Sequence, residues 1–107
     1  MFLKNEEKVY QRAEEGVVMK TLVHGEKTLM AEFKLEKGAC LPLHSHPHEQ
    51  TGYLVAGRIS LSIGEKSVDA LPGDSWCIPG RVEHSAYAKE GSVVVEVFSP
   101  VREEYLP

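Results

Sequence analysis

Arg58-Ile59-Ser60-Leu61-Ser62-Ile63-Gly64-Glu65-Lys66, residues 58–66, reads as one strand and the start of its return. Ile59, Leu61 and Ile63 alternate with Arg58, Ser60 and Ser62. Successive side chains of a strand point to opposite faces, so this two-residue period turns the aliphatic groups to a core and the polar groups to water. Gly64-Glu65-Lys66 supplies the turn that follows, and Ala56-Gly57 reads as a hairpin turn before it.

The same pattern extends outward in both directions. Over Thr28–Leu35, the residues Leu29, Ala31, Phe33 and Leu35 oppose Met30, Glu32 and Lys34. Val93–Phe98 is a nearly continuous apolar strand, broken by Glu96. Gly25, Gly38, Gly57, Gly64, Gly73, Gly80 and Gly91 fall between the apolar runs, and Leu71-Pro72-Gly73-Asp74 reads as a turn opening the next strand. Only Asn5–Glu15 suits a short helix, without a sustained apolar stripe. Many short strands at this spacing imply an all-β sandwich or closed barrel. At 107 residues the chain is expected to form a single domain, 1–107, large enough to bury a core without staples.

Composition excludes several classes of function. The net charge is −4 and the 12 Lys and Arg are scattered, whereas phosphate binding needs a concentrated basic face; no nucleic-acid partner is expected. Met1-Phe2-Leu3-Lys4-Asn5-Glu6-Glu7-Lys8 is charged too early for a signal peptide, and no apolar stretch approaches a membrane span. Cys40 and Cys77 lack framework or CxxC spacing, so reduced thiols in a cytoplasmic protein are expected.

The chemistry concentrates at residues 44–50, His-Ser-His-Pro-His-Glu-Gln, and at His84. On a strand, residues i and i+2 share a face, so His44 and His46 can aim two ring nitrogens at one point, with His84 closing the set from a distant strand. Neutral imidazole is the commonest metal ligand near pH 7. Such donors accommodate Fe, Mn, Co, Ni or Zn, so the expected cofactor is one divalent transition-metal ion of unassigned identity. Cys40 lies near enough in sequence to be weighed as a ligand.

These residues resemble the cupins. The first cupin motif runs Gly, five residues, His-x-His, three residues, Glu, six residues, Gly; Gly38, His44, His46, Gln50 and Gly57 fall at those spacings over 38–57. The second occupies 73–88, where Gly73, Pro79 and His84 fit, Arg81 replaces a Gly and Ala88 replaces an Asn. The resemblance implies a jelly-roll barrel enclosing one divalent ion held by His44, His46, Gln50 and His84, commonly built as a homodimer. Gln50 stands where the usual ligand is Glu; Glu49 or His48 would ligate if Gln50 only hydrogen-bonds. The apolar patterning on both faces of Val93–Phe98 also suits a dimer, with Val17–Val23 as a segment pairing across it.

The tail resembles a narrower group. Val94-Val95-Glu96-Val97-Phe98-Ser99-Pro100-Val101-Arg102-Glu103-Glu104-Tyr105-Leu106 is similar to the ending of the KdgF pectin-degradation cupins, which also carry His-Ser-His-Pro-His-x-Gln. That resemblance implies an enzyme that ring-opens 4,5-unsaturated uronate monosaccharides to a linear keto sugar acid. It maps an acidic, an aromatic and an Arg position onto Glu96, Phe98 and Arg102, with Glu96 one methylene longer than the usual Asp. Glu96 is then the catalytic group, and Arg102 serves both catalysis and substrate binding through a two-pronged contact with an anionic small molecule, flanked by Phe98 and Tyr53. Read from the residues alone, Glu96 faces outward as readily as inward, Arg102 can simply neutralise Glu103 and Glu104, and Phe98 is core or pocket wall. Trp76 and Tyr53 read as barrel packing more than chemistry, though Tyr53 shares the strand leading from the metal motif. The alternative function is a cupin dioxygenase or a small-ligand-binding cupin.

Overall fold

In the computed structural model the described residues are 1–7 and 9–107. The alternating runs become eight strands: β1 (Gln11–Glu14), β2 (Val17–His24), β3 (Leu29–Leu35), β4 (Cys40–His44), β5 (Glu49–Ile63), β6 (Lys66–Ala70), β7 (Ser75–Ile78) and β8 (His84–Ser99). All their pairings are antiparallel, in the order β1-β2-β3-β8-β5-β6, with β4 also on β8 and β7 also on β5. The two long strands therefore serve twice. One half of β5 lies against β7 and the other against β6, while one half of β8 lies against β4 and the other against β3. Strands that cross from one sheet to the other in this way close a jelly-roll barrel.

The inward set of each strand fills the interior. Val17, Met19, Leu29, Ala31, Phe33, Leu35, Leu54, Ile59, Leu61, Ala88, Val94 and Phe98 form one buried cluster. Burying each large aliphatic or aromatic side chain contributes about 1.5–3 kcal/mol, which offsets part of the conformational entropy lost as the strands order. No helix among the described residues is long and apolar enough to cross a membrane.

Three expectations change here. Asn5–Glu15 is not a helix: Asn5–Glu7 makes one 3-10 turn and Gln11–Glu14 is β1, pairing with Val17–Met19, while residue 8 lies outside the described residues. A short segment without an apolar stripe gains more from a neighbouring strand's hydrogen bonds than from helix formation. That pairing bears on a second expectation, because β2 is bonded to β1 on one edge and to β3 on the other. Because β1 covers only Val17–Met19, the edge left to Val17–Val23 for pairing across a dimer is confined to residues 20–23 among the described residues.

Ala56-Gly57 is likewise no hairpin turn. β5 runs through it, and the ladder with β8 shifts register between Leu54 and Ile59. Gly57 has φ +95°, and a Cβ on it would lie 2.2 Å from Ser92 Oγ and 2.4 Å from the Gly91 carbonyl oxygen. Positive φ is common to turns and bulges, and bulged strands bend. Ser92 secures the bend, accepting from the Arg58 N–H at 3.1 Å and donating to the Glu90 carbonyl at 2.8 Å. Gly57→Ala is therefore expected to cost about 1–3 kcal/mol of unfolding free energy, read as a lowered urea midpoint. An unchanged midpoint would mean that the bend does not need glycine.

Candidate metal centre

His44 ends β4, and His84 begins β8 directly across from it in register. His46 sits beyond β4 in the connection to β5, so the two-residue strand period does not place it. A hydrogen bond from the Arg81 N–H to the His46 carbonyl, 2.7 Å, ties that connection to the turn before β8. The ligand atoms of His44, His46 and His84 all fall within 4.8 Å of one another. Glu49 is exposed, His48 lies outside the trio with its ring 5.5 Å from that of His46, and Cys40 is exposed and outside the trio as well.

Each of the three rings is oriented in the same way. Nδ1 of His44 donates to the Pro42 carbonyl at 2.7 Å, Nδ1 of His46 to the His48 carbonyl at 3.0 Å and Nδ1 of His84 to the Val82 carbonyl at 2.8 Å. A backbone acceptor on Nδ1 fixes the tautomer and turns the Nε2 lone pair inward, the arrangement that orients metal-binding imidazoles. Nε2 of His84 is buried with no hydrogen-bond partner. Nε2 of His46 faces Gln50 Oε1 at 3.0 Å. With Nδ1–H committed, that is one acceptor against another, which a cation between them resolves. Two donors each about 2.1 Å from an ion and at right angles stand about 3.0 Å apart. The residues present thus fit a divalent ion. Burial, aided by the Arg102 charge, lowers the pKa of His46; burial and the neighbouring His44 and Arg102 charges lower that of His84. Both rings stay neutral, the form that ligates.

Beside this cluster is a cavity of about 70 Å³ lined by Gln50, Trp76, Glu96, Phe98, Arg102 and Tyr105, among others. Glu96 is 6% exposed and faces inward, with Val95 and Val97 turned out. Its carboxyl is pushed up to about 7 by burial, against contacts with Gln50 and Trp76 that hold it down. Arg102 lines the cavity and pairs with Glu104 Oε1 at 2.5 Å. Its guanidinium lies over the rings of Phe98 and Tyr105, 5.1 and 4.5 Å from their centroids.

One aromatic assignment is corrected and another is extended. Tyr53 is 49% exposed on the outer face of β5, between the inward Gly52 and Leu54, and does not line the cavity. The two-residue period that turns Gln50 inward turns Tyr53 out. Trp76 is not packing alone, since its Nε1 donates to Glu96 Oε1 at 3.3 Å. Tyr105 was missed by sequence reading. The tail brings it back over the barrel, its carbonyl accepting from the Thr21 hydroxyl and its ring meeting Phe33 and Phe98.

The comparisons agree with this architecture. The cupin-domain family profile matches residues 31–99, and the chain belongs to that family. It is 29% identical over 105 residues to the pectin degradation protein KdgF of Dickeya dadantii (strain 3937), covering 95% of this chain and 94% of that protein. The solved structure of KdgF from Halomonas sp. superposes with a TM-score of 0.94 at 31% identity, over 99% of this chain and 98% of that one. An RmlC-like cupin from Shewanella frigidimarina NCIMB 400 gives a TM-score of 0.93 at 26% identity, over 98% and 95% of the two chains.

Two outcomes follow from the site. Purified protein is expected to retain one divalent ion per chain, and His46→Ala, with its fold checked by circular dichroism, to lose most of it by elemental analysis. The second concerns protein stripped with a chelator. Glu96 titrates near 4.5 when unfolded and at about 7 when folded, so between those values the unfolded chain has released a proton that the folded chain keeps. Stability must then fall as pH rises through that window, by about 3 kcal/mol from this group. Denaturant titrations at the two ends should show Glu96→Gln missing that portion of the fall.

Proposed function

We propose that this protein is a metal-dependent enzyme that opens the ring of a 4,5-unsaturated uronate monosaccharide to a linear keto sugar acid. The observation that carries the reading is one cavity wall holding a buried carboxyl, Glu96, and a guanidinium, Arg102, beside three imidazoles arranged as ligands. The similarity over nearly the full chain to proteins named for pectin degradation supports the substrate class.

His44, His46, His84 and Gln50 would hold the ion. Once bound it supplies Lewis acidity toward substrate oxygens, undiminished by any carboxylate in the donor set. Arg102 binds the uronate carboxylate through its free N–H groups, with Phe98 and Tyr105 holding the plane of the guanidinium. Glu96 takes the proton of the anomeric hydroxyl as the bond from that carbon to the ring oxygen breaks, leaving an aldehyde and an enolate. It then delivers that same proton to the alkene carbon as the enolate becomes a ketone. Atoms and electrons balance within the sugar, so no oxidant is needed. A carboxyl titrating at about 7 is matched to accepting and returning a proton near neutral pH.

The test is loss of the ultraviolet absorbance of a lyase-generated unsaturated uronate, above the spontaneous rate, with zinc- or nickel-loaded protein under anaerobic conditions. Turnover is expected. Arg102→Ala should mainly raise KM, because it removes binding common to ground and transition states, and Glu96→Gln should lower kcat by roughly 10²-fold or more with metal occupancy unchanged. Activity confined to the iron form with oxygen would instead favour the dioxygenase alternative.

A further inference from the structure

Gly52 stands in the middle of a row of three inward positions. It pairs with Trp76 of β7 on one side and with Glu96 of β8 on the other. Residues two strands apart are separated by about 9.5 Å and by the side chain between them. Here the middle side chain is missing, and the indole and carboxyl meet over the gap. A Cβ at Gly52 would lie 2.2 Å from Trp76 Nε1, 2.3 Å from Trp76 Cε2 and 2.5 Å from Glu96 Oε2. The neighbouring inward position on β5 lacks such a gap: Gln50 fills the row between Ile78 and Phe98.

We propose that Trp76 is the positioning residue of Glu96, its indole N–H reaching across side-chain-free Gly52 to hold one carboxyl oxygen and leave the other to a ligand in the cavity. This rests on the reading of Glu96 as the proton carrier. The indole donates to Oε1 at 3.3 Å, whereas Oε2 is buried without a hydrogen bond, Gln50 being the other side chain that bears on the carboxyl. A Glu side chain has more torsional freedom than a proton carrier can use, and a misplacement of about 1 Å costs roughly 10²-fold in rate. Indole nitrogen is a donor only, so it orients the carboxyl without competing for the proton that moves. Gly52 is part of the same device, because any side chain there would part the two groups.

Trp76 is the sole tryptophan, so one indole N–H resonance reports the contact without any assay of activity. Hydrogen exchange of that N–H should be at least tenfold slower than for an exposed indole. Glu96→Gln should keep the protection, since its amide oxygen still accepts, and Glu96→Ala should lose it. In the uronate assay, Trp76→Phe should lower kcat roughly tenfold with KM and metal content within threefold of the parent, and should cost less than twofold when added to Glu96→Gln. Exchange at the exposed rate, or indifference of exchange to Glu96→Ala, overturns the contact. Full kcat in Trp76→Phe, or an equal loss with and without Glu96→Gln, overturns the positioning role. If the parent protein does not turn over the uronate, the proposed function fails, while the exchange measurement still decides the contact.

Discussion

The β5–β8 ladder is the constraint from which the rest of the structure follows. It begins at Glu49 opposite Ser99 and ends at Ile63 opposite His84. Drawn straight at about 3.3 Å per residue, it would separate Gln50 from Ile63 by roughly 43 Å. The longest extent of the whole molecule is 35 Å. The ladder is instead bent at its register shifts around Gly57 and Ser92, and its two ends are folded toward one another. His46 shows how completely they meet: its Nε2 is 3.0 Å from Gln50 at one end, and its ring centroid is 4.9 Å from that of His84 at the other. Barrel closure and assembly of the ligand set are thus one event. An ion bound there would bridge both ends of the ladder and stabilise the folded state alone.

The charge balance of the interior follows from the same closure. Burial keeps His46 and His84 neutral, and it holds Glu96 near the point where it can either keep or release its proton. Gln50 adds an oxygen without adding a negative charge. Among the described residues the one Lys or Arg in the cavity wall is Arg102, spread over two aromatic faces and partly balanced by Glu104. A divalent ion added to that set leaves the cavity distinctly positive, which favours an anion of modest size. In the proposed ligand set a neutral amide would be the poorer donor, so Gln50 would trade some hold on an ion for that charge.

What could be read from the sequence, and what could not, follows the range of each interaction. The alternation of Ile59 and Leu61, and that of Leu29 to Leu35, is local and reappears as buried positions on β5 and β3, with Ile63 half-buried at the end of its strand. Which histidines converge was legible from spacing, but the reason given for His46 was not the right one, because β4 ends at His44 and a loop held by Arg81 delivers the next ring. Ala56-Gly57 misled because a turn and a bulge ask the same backbone freedom of glycine. The outward aim of Tyr53 was recoverable from its parity with Gln50. The Trp76–Gly52–Glu96 row was not: it joins three strands far apart in sequence, and no local pattern marks a glycine whose missing side chain matters. Tyr105 was hidden for a similar reason, since only the returning tail puts its ring beside Phe33 and Phe98.

The convergence of three imidazoles on one ion is the claim on which the account stands, and X-ray absorption fine structure of the nickel-loaded protein tests it directly. Multiple scattering from the rings counts imidazoles without reference to activity. The account predicts three per nickel, with oxygen for the remaining light donors and no sulfur. Fewer than three imidazoles, or a sulfur neighbour contributed by Cys40, would contradict it.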